Sequence, residues 1–323
     1  MVLPSLSPTH LLRWHSNAVS ILKAHTNSLL GIEDWDSHIM TLGRDNKIHI
    51  WARPEESASI RQGHHDMLLS GCSFLGATKQ EGLLAVPNLV ESALADIWTL
   101  PSRQRLHVAI GDPQDTFATP GIIMSVHLFY ALKPAPSSSM STNELRLLCA
   151  YEDGSVVLRK CTAPENKQFL WKSKIHVESV MAMAVSAGCT FALTMSADHL
   201  VGRDDLVVAQ KASEGTVFKT KHPGNGAITI RGDGRICTTG GWDGKVRLYS
   251  TKTFKSCTLA YHKHGCQAVT FANLREDESC GDEDEMTTEE KHARARWLIA
   301  GSTDTKVSIW ASMKFEKSQK TNA

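Results

Sequence analysis

A carboxylate, an imidazole and a hydroxyl close together in one segment are the ingredients of nucleophilic catalysis. Ala24 to Trp51, AHTNSLLGIEDWDSHIMTLGRDNKIHIW, carries them as Asp45, His25 and Thr41, with Trp51 closing the segment. In a hydrolase the carboxylate would orient the ring and the ring would take the hydroxyl proton. The same groups can instead satisfy one another inside a β-structure. Asp45 can accept from the His25 ring, His25 can meet the Thr41 hydroxyl, and Thr41 can meet the Trp51 indole N–H, which only donates. No G-x-S-x-G turn accompanies the set, so the structural reading is preferred and no catalytic residue is assigned. His64-His65 and the pair His262 and His264, with Cys257 and Cys266 nearby, raise the question of zinc. Metal binding needs a tighter cluster, and histidines at the turns that open a repeat unit explain these positions, so no metal ligand and no cofactor site is assigned either.

The elements that must position the quartet follow from the pattern around it. A short apolar run (Leu29, Leu30, Ile32) is followed by a second ending Ile39-Met40-Thr41-Leu42, a Gly43-Arg44-Asp45-Asn46 turn, and the alternating run Lys47 to Trp51. Period-2 alternation makes strands and Asp-Asn is turn chemistry, so the segment reads as three β-strands and two turns, with Ala58 to Arg61 expected as a fourth, outer strand.

Altered copies of this unit recur. His10 to Leu22 resembles the tail of one, with Leu11-Leu12-Arg13-Trp14 and Ala18-Val19-Ser20-Ile21-Leu22 as its two strands. The complete copy covers 24–61 and the next 64–109, where Ser92 and Asn88 replace the polar pair before Trp98. A unit at 121–161 has the hairpin signal Asp153-Gly154 and Arg159 at the Trp position. One at 175–210 carries His176, Thr194 and Asp198, and one at 222–261 carries His222, Thr239, Asp243 and Tyr249. The last, 262–312, ends with Asp304 and Trp310 and is interrupted by the loop 275–296. The step between Trp-equivalent positions averages about 50 residues, near the roughly 40–45 of a four-stranded propeller blade plus insertions. The expected fold is all-β: one domain over 1–323, a seven-bladed β-propeller lacking the front half of blade one.

Composition fits this and removes other classes. A net charge of +1 with 21% charged residues does not mark nucleic acid or an anionic membrane as a partner. No apolar run approaches the roughly 18–20 residues of a spanning helix, and MVLPSLSPTHLLRWHS lacks the pattern of a secretory signal. Eight cysteines without a C-x-x-C read as reduced thiols, several of them in the core. The acidic stretch Glu276 to Glu290, EDESCGDEDEMTTEE, reads as a solvated loop that could dock on a basic partner such as a histone or a helical-repeat subunit. Lys245, Arg247, Lys252 and Lys255 read as a basic ladder on an exposed strand face.

The offsets of Asp45 and Thr41, six and ten residues before Trp51, resemble the structural tetrad of WD-repeat proteins. More narrowly, Ala24 to Ile32, Gly43 to Trp51, Gly240 to Tyr249 and Gly301 to Trp310 resemble the fungal ASTRA-associated WD-repeat protein family, relatives of the Gβ-like proteins. That resemblance implies a nuclear, non-catalytic scaffold of the ASTRA complex, bound to its protein subunits and linked to chromatin remodelling and to assembly of phosphatidylinositol-3-kinase-related kinases. A Gβ-like signalling module or a stand-alone peptide or histone-tail reader is the alternative. The family also implies a whole first blade, so the chain is expected to be a shortened gene product whose partial blade exposes an unpaired edge.

Overall fold

A strand that alternates apolar and polar residues buries one face only when another sheet covers it, and the described residues answer that demand with six sheets in succession. The computed structural model describes residues 25–26, 29–35, 38–43, 45, 47–52, 62–66, 73–76, 82–111, 121–131, 144–163, 166–207, 215–272 and 296–311. The first sheet is β1 (Leu29–Trp35), β2 (His38–Gly43), β3 (Lys47–Ala52) and β4 (Gln62–Asp66). The second is β5 (Ser73–Gly76), β6 (Gly82–Pro87), β7 (Ala95–Leu100) and β8 (Gln104–Ile110). The third is β9 (Ile123–Ala131), β10 (Glu144–Tyr151), β11 (Ser155–Ala163) and β12 (Asn166–Lys174). The fourth holds β13 (Val180–Val185), β14 (Phe191–Ser196), β15 (Leu200–Asp205) and β16 (Thr216–Lys219). The fifth holds β17 (Asn225–Ile230), β18 (Ile236–Gly241), β19 (Lys245–Ser250) and β20 (Ser256–Ala260). The sixth has three described strands, β21 (Cys266–Phe271), β22 (Trp297–Ser302) and β23 (Val307–Ala311). Every sheet is an antiparallel meander, and the first strands of successive sheets touch (β5 with β9, β9 with β13, β13 with β17, β17 with β21), which arranges them as propeller blades.

Two positions per sheet make the junctions. The residue paired across from the Trp position on the second strand is Leu84, Leu147, Ala192, Cys237 and Leu298 in sheets two to six. Each is 2% exposed or less and packs on the preceding sheet. The residue three before the Trp position is Ile48, Ala95, Val156, Val201 and Val246 in sheets one to five, again 2% exposed or less, and it packs on the following sheet. Arginines add ties at two junctions. Arg146 donates to the Leu206 carbonyl (2.7 Å) and Arg203 to that of Thr251 (2.8 Å).

The outer strands depart from expectation. That of the first sheet lies at Gln62–Asp66, so His64-His65 belong to it and do not open the next unit. The first described strand of the second sheet is Ser73–Gly76, and residues 67–72 before it lie outside the described residues. Strands β12 and β16 were not anticipated, and they carry the third and fourth sheets beyond 161 and 210. Both are outer strands with mixed polar sequences, NKQFLWKSK and TVFK, which carry little apolar signal. The Asp153-Gly154 turn forms as read: Gly154 has φ +83, and a Cβ there would strike the His176 carbonyl. The partial unit at 10–22 and the acidic stretch lie outside the described residues.

Leu147, fully buried between sheets two and three, is the test of the junction. Leu147→Ala should lower the unfolding free energy by about 2–5 kcal/mol, the range for deleting a buried leucine side chain, read from the urea midpoint at unchanged slope.

Candidate functional site

The polar groups that looked capable of chemistry come together at the sheet ends. In the first sheet His25 Nδ1 lies 2.9 Å from Asp45 Oδ1, His25 Nε2 lies 3.0 Å from Thr41 Oγ1, and Trp51 Nε1 donates to the same hydroxyl at 3.0 Å. The proton order follows from the donors. Asp45 accepts from Nδ1–H, so Nε2 keeps the lone pair to which Thr41 donates, and the Thr41 oxygen is free to accept from the indole. Asp45 also accepts from the Thr26 and Lys47 backbone N–H groups. Burial pushes the Asp45 carboxyl up, but the hydrogen bonds from His25, Thr26 and Lys47 prevail and hold it at about 2. Gly43 leaves the room: a Cβ there would collide with the His25 ring and with Asp45.

The fourth sheet repeats the arrangement without the tryptophan. His176 Nδ1 is 3.0 Å from Asp198 Oδ2 and its Nε2 is 3.0 Å from Thr194 Oγ1, with both His176 and Thr194 buried. Asp204 stands buried at the Trp position, and Gly202, across from Thr194, leaves space that a Cβ would fill.

The sixth sheet builds its network from a residue the sequence reading missed. His262 Nδ1 lies 3.2 Å from both Asp304 oxygens, and its Nε2 lies 2.6 Å from Ser308 Oγ. Ser308 is on the third strand, directly across from Ala300, which holds the place of Thr41. The hydroxyl has moved one strand over. Trp310 packs edge-on to His262, with ring centroids 6.2 Å apart. Burial pushes the Asp304 carboxyl up, but the Lys263 N–H, His262 and the Lys306 N–H pull it down to about 2.

The fifth sheet corrects the expectation most. His222 does not join Asp243; its carbonyl accepts from Asn225 and Thr220, and the residue is exposed. Asp243 is taken by Arg247, which lies across from Thr239 and donates from Nη1 (3.1 Å) and Nη2. Arg247 is therefore no rung of an exposed basic ladder: it is 2% exposed, because a buried guanidinium needs the carboxylate beside it. Tyr249 is buried on the same strand as Arg247. In the second sheet Asn88 donates to both oxygens of buried Asp96 (2.9 and 3.1 Å), a pair the offsets did not suggest. One signal would have found these partners. The residue two before each Trp position reads His49, Asp96, Val157, Gly202, Arg247 and Ser308, polar in four sheets of six on a strand face directed inward.

Metal and thiol chemistry follow the same geometry. Among the described residues His25, Asp45 and His49 offer donor atoms within 4.8 Å of one another. Both nitrogens of His25 are already bonded to Asp45 and Thr41, so a cation would have to displace those bonds. His262 is likewise committed, Cys257 is exposed, and Cys266 is buried. Burial pushes the Cys149 and Cys237 thiols up to about 12, far from the thiolate a nucleophile or metal ligand requires. What the arrangement does chemically is pair buried polar groups; Thr194, with no exposed surface, is beyond the reach of a substrate.

Among the described residues, six successive antiparallel sheets joined face to face, three with a His–hydroxyl–carboxylate network at the sheet end, define a WD-repeat β-propeller protein. The profile of the WD domain, G-beta repeat, matches residues 219–250. ASTRA-associated protein 1 of Verticillium alfalfae is 30% identical over 345 residues, covering 90% of this chain and 81% of the relative. The protein of the same name from Aspergillus flavus is 32% identical, covering 72% of this chain and 59% of the relative. Mouse guanine nucleotide-binding protein subunit beta-like protein 1 is 25% identical over 84% of this chain and 74% of its own length. The chain belongs to the ASTRA-associated protein 1 family.

Thr194→Val should cost about 1–3 kcal/mol, the penalty for leaving the buried His176 nitrogen without its partner, measured by chemical denaturation. Asp45 and Asp304 titrate below their ordinary 3.8 when folded. Their contribution is therefore complete above pH 3.8 and is lost as the pH falls through about 2. The Asp45→Asn, Asp304→Asn double variant should be less stable than the parent at pH 6, and the difference should shrink between pH 4 and pH 2 in thermal melts.

Proposed function

We propose that this protein is a non-catalytic scaffold subunit of the ASTRA complex, acting in the nucleus in chromatin remodelling and in assembly of phosphatidylinositol-3-kinase-related kinases. The observation that carries the reading is the match to ASTRA-associated protein 1 along 90% of the chain. The physics of the fold supports the scaffold half of it. The groups that resemble a catalytic triad are used within the sheets, so rigid sheets are left to present loops and outer surfaces to other proteins. Protein subunits of the complex are the partners; with a net charge of +1, direct nucleic-acid binding is not part of the proposal. The acidic stretch Glu276 to Glu290 is assigned a basic protein partner, since like charges in one run create an attractive field for it. The mouse Gβ-like relative favours a second reading, a signalling module that pairs with G-protein subunits.

Affinity purification of the full-length protein from its own nuclei separates the two. Recovery of kinase-assembly subunits is expected, and recovery of G-protein subunits in their place would favour the second reading. Deleting 276–290 should weaken capture of the basic partner in low salt and have little effect in high salt, because the attraction is screened over about 10 Å at 0.1 M. Equal recovery with and without the deletion would remove the role of the acidic stretch.

A further inference from the structure

Away from the two end faces, those of the first and last described sheets, the largest ring that meets solvent is Trp242, 49% exposed in the turn between β18 and β19. Glycines make room for it. Its backbone N–H donates to the Gly224 carbonyl at 2.8 Å. A Cβ added at Gly224 would lie 2.7 Å from the indole Cε3, one at Gly226 3.0 Å from Nε1, and one at Gly265 3.3 Å from the Trp242 Cα. One side of the ring therefore lies on bare backbone of β17 and of the loop before it, and the other side is turned to solvent. A tryptophan fixed in this way is the kind of residue that anchors a protein interface.

Charge decides what the open indole takes. A ring face by itself attracts a cation. Lys221 in the loop before β17, Lys245 at the start of β19 and Lys263 in the loop after β20 are all exposed at this end of sheets five and six. The Trp242 turn packs on the last of these loops: a Cβ at Gly244 would lie 2.6 Å from the His262 carbonyl oxygen and 3.0 Å from that of His264. The carboxylates of the same turns are committed. Asp243 is held by Arg247, and Asp304 by His262 and by the Lys263 and Lys306 backbone N–H groups. Among the described residues no carboxylate pairs with the side chains of Lys221, Lys245 or Lys263. The exposed acids Glu152 and Glu178 belong to the turns and loops of sheets three and four. The field over Trp242 is therefore positive, which repels a cationic ligand and draws an anionic one.

Single-stranded nucleic acid is anionic too, but it stacks successive bases on successive rings. Tyr261, the other exposed aromatic of sheets five and six, carries the Lys306 Nζ 6.0 Å from its ring centroid and packs edge-on against His262. One open indole inside a positive rim fits one apolar side chain flanked by carboxylates. We propose that the surface formed by Trp242, Lys221, Lys245 and Lys263 binds an acidic protein segment, with one apolar side chain of that segment laid on the indole and its carboxylates on the lysines. A basic tail has the wrong sign for this surface. The assignment holds whichever assembly supplies the partner.

Selection of random displayed peptides on the purified full-length protein tests this without presupposing the partner. The enriched peptides should carry net negative charge and an apolar residue, and they should bind the Trp242→Ala variant about thirtyfold more weakly, a loss typical of a tryptophan anchor. Lys221→Glu with Lys263→Glu leaves the indole in place. It should weaken the same peptides by about tenfold, less so as salt screens the charges. Versions of the peptides with lysine in place of their acids should bind this double variant better than they bind the parent, a reversal that mere damage to the fold does not produce. Enrichment of basic peptides, equal binding by parent and variants, or no enrichment at all overturns the proposal. Tighter, Trp242-dependent binding of oligothymidylate would assign the surface to single-stranded nucleic acid, and peptide binding strengthened by deletion of 276–290 would assign it to this chain's own acidic stretch; each also overturns it. Because only purified protein is used, these outcomes are independent of whether ASTRA subunits are recovered from nuclei.

Discussion

Face-to-face burial between sheets is the constraint on which the rest depends. A single four-stranded meander of this size has an apolar face on both sides and cannot shield either alone, so each sheet is stable only through its neighbours. The residue three before the Trp position reaches forward and the residue across from that position receives the sheet behind. Side-chain volume at these points varies from Ala95 and Ala192 to Leu147 and Leu298, yet burial is nearly complete throughout. Where the junction residue is small, larger buried neighbours share its cluster: Tyr151 with Ala95, and Phe129 and Leu158 with Ala192.

Burial on both faces forces the polar groups at the sheet ends to find partners among themselves, and the chain does so with different residues at one geometry. A carboxylate in the turn after the second strand meets a ring nitrogen in sheets one, four and six and a guanidinium in sheet five. The hydroxyl can sit on the second strand, as Thr41 and Thr194 do, or across the ladder on the third, as Ser308 does. Directly opposed residues on adjacent strands are only about 4.5–5.5 Å apart at Cβ, so a group can change strands and still reach the same imidazole. Arg247 uses the same freedom. Where the histidine has turned outward as His222, the longer cation extends from the third strand to the Asp243 carboxylate.

This freedom explains what could be read in the sequence and what could not. The order of sheets, the turn carboxylates Asp45, Asp198 and Asp304, and the sheet-like character of even the altered copies were legible, because each rests on residue types at fixed linear spacing. Ser308, Asp96 and the role of Arg247 were not, because their significance lies in cross-strand pairing, which linear offsets do not encode. Outer strands were the other blind region. Strand β16 exposes three of its four residues, and β12 mixes lysines with Phe169 and Trp171, so neither presents the apolar alternation by which strands are recognised.

The same accounting of partners bears on function. In an enzyme of the triad type the hydroxyl must be reachable and the imidazole must pass its proton to a substrate. Here each imidazole of the three networks is held at both nitrogens, and the hydroxyl of the first network also accepts from Trp51. Three copies of one arrangement, at corresponding places in separate sheets, are what a repeated joint produces; a single active site has no use for them. Large side chains that do face solvent away from the two end faces include Val90, Val177 and Trp242, all in loops or turns between strands. Loops on a rigid scaffold are free to vary without disturbing the core, and here the loops differ among sheets while the joints are held to one design.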